Sequence, residues 1–206
     1  PVLEAEVYMP TINSVVIKDK AVLAACDAFE TETFTMTVSD NALVSHFEVS
    51  CSTGELNVSK NAQVTGTVAV TSKMYLNASN SAQISLTQNG GNAFVSQANS
   101  AYVDYKVTLN TLEVESAGGS ESHISGTASL LKVTSAGLSR VDTELLESKD
   151  GDVVLSGSAK CHVNVTDHLK VNLVGGSMLT FKRNPAFEID RIVNSTLIKA
   201  DDAKRK

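Results

Sequence analysis

Tryptophan is absent from this chain, aromatics are limited to six Phe and four Tyr, and no stretch approaches the roughly eighteen apolar residues of a membrane-spanning helix. A membrane span is therefore not expected. The three cysteines, Cys26, Cys51 and Cys161, are too few and too odd in number for a disulfide framework. They read as buried small hydrophobes. Positive charge is scarce as well. The net charge is −6 and the basic cluster is confined to Lys204, Arg205 and Lys206, so the chain lacks the cationic surface that a phosphate backbone demands. Nucleic acid is excluded as a partner, and the basic tail reads as solubilising. The chain opens at Pro1 with neither an initiator Met nor a signal-type apolar block, as expected of a chain whose leader has been removed.

Helical periodicity is also missing: apolar residues alternate in twos and rarely recur at three or four. Apolar residues make up 42% of the chain and charged residues 19%. Ser, Thr, Asn, Val and Ala fill most other positions, a balance suited to strands. At 206 residues the chain can bury a sizeable core.

Self-comparison supplies the fold. The nonamer LNVSKNAQV at Leu56 returns as LNASNSAQI at Leu76 and VSQANSAYV at Val95, with MTVSDNALV at Met36 and VVIKDKAVL at Val15 upstream. Weaker copies start at Ser116, Val133, Leu155, Leu173 and Ile189, and the first nine starts are spaced 21, 20, 20, 19, 21, 17, 22 and 18 residues apart. A fixed period near twenty marks a solenoid; a sandwich of short strands has no reason to repeat residue identity at one register. The reading is all-β: a single right-handed parallel β-helix of about ten rungs, since a crossover between parallel strands is almost always right-handed. Domain boundaries follow as an N-terminal arm and cap at 1–14, the β-helix at 15–197 and a basic tail at 198–206.

Equal parity on a strand means a shared face. The first nonamer position (Val15, Met36, Leu56, Leu76, Val95, Ser116, Val133, Leu155, Leu173) and the ninth (Leu23, Val44, Val64, Ile84, Val103, Ile124, Val141, Val163, Phe181) are expected inside. The seventh (Ala21, Ala42, Ala62, Ala82, Ala101, Ser122, Ser139, Cys161, Leu179) is a mostly small column where the wall bends inward. Positions four to six carry Ser, Asn, Asp, Lys and Gly, residues that favour turns. An open terminal rung exposes unpaired backbone, so residues 1–14 and the segment after Pro185, with Phe187, Ile189, Ile192 and Leu197, are expected to cover the two ends.

The later rungs bring a resemblance. Ser125-Gly126-Thr127, Ser156-Gly157-Ser158 and Gly175-Gly176-Ser177 follow short strands, and Phe181-Lys182-Arg183-Asn184-Pro185 ends a strand on proline. With these marks the chain, over most of residues 11 to 197, resembles the family described as putative auto-transporter adhesin, head GIN domain. The early rungs depart from its pattern by using Asp, Asn and Lys where glycine is expected. The resemblance implies a right-handed β-helix, export to the bacterial cell envelope, and in many members a lipid anchor upstream of the domain. It brings no catalytic residues.

The eighth position lies between two inward positions and faces solvent. From Gln63 its column runs through Gln83, Tyr102, His123, Arg140 and His162 to Thr180, a polar stripe that can lie along a glycan or a host or bacterial surface protein. An ordinary solvated face is the plainer reading of the same residues. No metal is expected: in this register Arg140 separates His123 from His162, whose backbones lie roughly 9.6 Å apart, whereas zinc ligands sit about 2.1 Å from one ion. His46 and His168 stand alone in turn-like segments as surface histidines. No cofactor is expected.

Catalysis on a β-helix wall needs acidic and basic groups stacked in a groove, and Asp40, Asp104, Asp142, Asp152 and Asp167 fall at different offsets from their rung starts. The sequons at Asn57, Asn77, Asn164 and Asn194 arise from composition alone. The favoured reading is a non-catalytic adhesion module. The alternatives are an exported β-helix enzyme acting on polysaccharide and a rigid spacer.

Overall fold

A computed structural model describes residues 4–24 and 27–200. Cys26 and the tail residues Lys204, Arg205 and Lys206 lie outside the described residues. Fourteen strands follow one another: β1 (Ser14–Ile17), β2 (Val22–Ala24), β3 (Phe29–Val38), β4 (Leu43–Ser59), β5 (Gln63–Asn80), β6 (Gln83–Asn89) and β7 (Asn92–Asn99), then β8 (Tyr102–Ser116), β9 (Glu121–Ser135), β10 (Arg140–Leu155), β11 (Lys160–Val174), β12 (Met178–Lys182), β13 (Ala186–Val193) and β14 (Thr196–Lys199). Strand pairing is parallel throughout. The result is a parallel β-solenoid of about ten turns with about 19 residues per turn. The described residues contain no helix.

Leu56 pairs with Leu76 and Val64 with Ile84, and all four are buried. The inward columns are thus built as expected in the first half. Beyond Val95 the register differs from the sequence alignment by two residues in several rungs. Val95 pairs with Val114, not Ser116, and the column continues through Val133, Val153, Val171 and Ile189. Ser116, Leu155 and Leu173 belong to the neighbouring inward column, behind Gln97 and Ser135. Val103 likewise pairs with Ser122, and the column runs on through Val141, Cys161 and Leu179. Ile124 and Val163 are buried and Phe181 half-buried, two positions further on. A slip of two keeps each side chain on its face and changes only its column.

Each rung's sharp corner has its own column. Asp19, Asp40, Lys60, Asn80 and Asn99 adopt positive φ in the early rungs, and Gly118, Gly137, Gly157 and Gly175 take over later. Two residues on, Ala42, Ala62, Ala82, Ala101, Ser120, Ser139, Ala159 and Ser177 form the small column against the core, each buried. Ser122, Cys161 and Leu179 stand two residues beyond it. At the first rung Ala21 is exposed and Leu23 half-buried, and among the described residues β2 pairs with β4 alone.

The core is almost entirely apolar, and several of its polar members pair locally, whereas Gln97 Oε1 and the hydroxyls of Ser122 and Ser148 are buried without a hydrogen-bond partner among the described residues. Tyr105 donates its hydroxyl to Gln88 Oε1, and Gln88 Nε2 donates to the carbonyls of Gly90 and Asn92 at 2.9 and 3.2 Å. Ser116 with Ser120, and Ser135 with Ser139, join hydroxyls across the corner at 2.8 and 2.7 Å. Such pairs offset the desolvation of the buried hydroxyls. Cys51 and Cys161 are free, buried thiols.

At the N-terminal end, residues 4–11 are exposed and Ile12 packs against the core. At the other end β13 pairs with β11 and β14 with β12. Leu169, Val171 and Leu173 are fully buried beneath β13, and the ring of Phe187 packs edge-on against Phe181 with centroids 4.9 Å apart.

Candidate functional site

The wall that follows each corner carries two outward rows, because residues two apart on a strand share a face. In the first row Gln63, Gln83, Tyr102, Glu121, Arg140, Lys160 and Met178 lie side by side on successive rungs. The second, two residues along each strand, contains Ser85, Asp104, His123, Asp142, His162 and Thr180.

Of the five residues singled out from the sequence, Gln83, Tyr102 and Arg140 stay in one row. His123 and His162 stand in the adjacent row, with Asp142 between them. Glu121 occupies the place between Tyr102 and Arg140. His123 and His162 remain two rungs apart, but a carboxylate and not a guanidinium stands between them in the row. Asp104 and Asp142, which looked unrelated by offset, also share this row. Glu121 is not singled out in the sequence, and Asp142 and Glu144 read there only as acidic residues at unmatched offsets. The signal that places them is the corner glycine at 118, 137 and 157, which restores the register.

A β-bulge shapes the middle of this wall. Between Asp142 and Leu145, β10 runs one residue longer than β9, and a bulge of this kind bends the strand and re-aims its side chains. The buried Thr143 hydroxyl donates to the His162 carbonyl at 2.6 Å, tying the bulge to the next rung. Asp142 Oδ1 accepts the backbone N–H of Glu144 at 3.1 Å. Its other oxygen, Oδ2, lies 3.6 Å from His162 Nδ1, 3.9 Å from His123 Nδ1 and 3.7 Å from an Arg140 terminal nitrogen. The ligand-bearing atoms of Asp142, Glu144 and His162 lie within 4.8 Å of one another.

The surrounding charges are mixed. Arg140 Nε lies 3.8 Å from Glu121 Oε1, and Lys182 Nζ contacts Glu144 Oε1 at 2.6 Å. His123 Nε2 is 3.2 Å from Glu121 Oε1. Tyr102 tilts against the His123 ring with centroids 5.7 Å apart. Partial burial, and then the charges of Asp104 and Glu121, push the Tyr102 phenol above its ordinary pKa. Asp104, His123, Ile124, Ser125, Asp142, Glu144 and Leu145 line a shallow groove of about 240 Å³.

The remaining histidines lie elsewhere. His46 is exposed at positive φ in β4, at a register shift between Val44 and Phe47. His168 is exposed in β11 but not alone, with Nδ1 2.9 Å from Asp150 Oδ1.

Neither a curated protein nor a solved structure matches the chain. A family model does, over residues 34–185, a span that takes in the rungs from β3 to the turn after β12 and both outward rows. The chain belongs to the family described as putative auto-transporter adhesin, head GIN domain.

Proposed function

We propose that this chain is a non-catalytic adhesion module, exported to the bacterial cell envelope, that holds an extended glycan along the outward rows of its wall. The observation that carries the reading is repetition: Gln83, Tyr102 and Arg140 share one outward row of the stack, and His123 and His162 stand in the adjacent row. Strand spacing of about 4.8 Å between rungs sets the step at which such contacts would repeat. Tyr102 offers a ring face, Gln83 an amide, and Arg140 a guanidinium able to make paired hydrogen bonds. The family's adhesin description supports the envelope location, and an upstream lipid anchor belongs to the same proposal.

The test is a glycan array run beside a reducing-end release assay, with wild type and the Tyr102→Ala/Arg140→Ala double variant. Both side chains point away from the core, so the variant should melt near the wild-type temperature and lose glycan binding. Release of reducing ends would favour the polysaccharide enzyme instead, and silence in both assays would leave a rigid spacer. Glycan binding that survives the double substitution would remove this face from the proposal.

A further inference from the structure

We propose that Asp142, Glu144 and His162 form a binding site for a first-row divalent cation, with Zn²⁺ the best match. The site stands whether or not the neighbouring row holds a glycan.

Separation is the first argument. His162 Nδ1 lies 3.6 Å from Asp142 Oδ2, too far for a hydrogen bond. Ligand atoms each about 2.1 Å from a shared tetrahedral ion stand about 3.4 Å apart, so this gap is close to the edge of a coordination shell. Glu144 joins from the bulge, with a carboxylate oxygen within 4.8 Å of the Asp142 and His162 ligand atoms.

Orientation is the second argument. Asp142 is held through Oδ1 by the Glu144 backbone N–H, so Oδ2 stays turned toward both histidines.

Charge and ligand type choose the ion. Asp104, Glu121, Asp142 and Glu144 outnumber Arg140, Lys160 and Lys182 by one, so the two rows carry a small excess of negative charge that a divalent cation offsets. Arg140 and Lys182 contact Asp142 and Glu144 through partly exposed side chains, and such pairs yield readily to a competing cation. Imidazole with carboxylate favours zinc over magnesium or calcium, which prefer all-oxygen shells.

The experiment is calorimetric titration of the full chain with Zn²⁺, then with Mg²⁺ and Ca²⁺. Wild type should take up one equivalent of Zn²⁺ and show no comparable uptake of the other two. His162→Ala and Asp142→Asn should each weaken binding at least tenfold, while His168→Ala, altering the separate pair with Asp150, should leave it unchanged. Should Asp142→Asn shift the melting temperature, the partly exposed His162→Ala decides alone. Co²⁺ in place of Zn²⁺ should give visible bands without a thiolate charge-transfer band, which sets this site apart from one built on cysteine. Absence of stoichiometric Zn²⁺ uptake, or uptake undiminished in His162→Ala, would overturn the proposal.

Discussion

Asp142 receives the backbone N–H of Glu144, two residues along the same strand, at 3.1 Å. One carboxylate oxygen is thereby spent on holding the bulge, and the other is left facing His123, Arg140 and His162. A single side chain thus links the local backbone to the chemistry of the wall.

Asp142→Ala should therefore cost stability where Asp142→Asn does not. The alanine variant leaves the Glu144 N–H without its acceptor, a loss of about 1 kcal/mol; the amide oxygen of asparagine keeps the bond. Thermal melts of the two variants side by side check this. Equal melting temperatures would mean that the bulge is held by Thr143 and its bond to the His162 carbonyl instead.

Gly137→Ala should destabilise the stack by about 1–2 kcal/mol, the cost of placing an L side chain in left-handed backbone. Gly137 has φ 77°, and a Cβ there would sit 3.0 Å from the Gly118 carbonyl oxygen on the rung below. Denaturant unfolding of the variant gives the number. A loss under a few tenths of a kcal/mol would show that the corner yields.

Lys170 ties the last two turns together. Glu188 and then Asp190 of β13 contact its ammonium at 2.8 and 3.2 Å and hold its pKa above the ordinary lysine value. A raised folded pKa gives stabilisation that is complete below the unfolded pKa of about 10.4 and is lost as pH climbs through the higher folded value. Melting of wild type and Lys170→Met should differ by a constant small margin from pH 6 to 9, and the margin should begin to narrow above about pH 10.5. A margin independent of pH would assign the effect to packing of the lysine stem.

The faces of the strands were legible early because side-chain alternation is a local property. Leu56, Leu76, Val64 and Ile84 are buried, and even misaligned residues such as Ile124 and Val163 lie inside. The site was legible only in pieces. Gln83, Tyr102 and Arg140 were placed in their true row, but His123 and His162 were assigned to it two residues out of register. Similarity fades in the later rungs as serine and glycine replace the larger residues, and a period-two pattern does not register a shift of two.

The sequence alone determined a parallel solenoid, its repeat length and its inward parity, since each follows from spacing along the chain. Tertiary structure alone decided which residue stacks on which. That choice depends on the positive-φ corner, where Asn99 gives way to Gly118, and on the small column of Ala101, Ser120 and Ser139 that packs behind it. Asp142 stands between two histidines because the backbone hydrogen bonds between rungs on the N-terminal side of the bulge pair Arg140, Val141 and Asp142 in one register with both neighbouring strands.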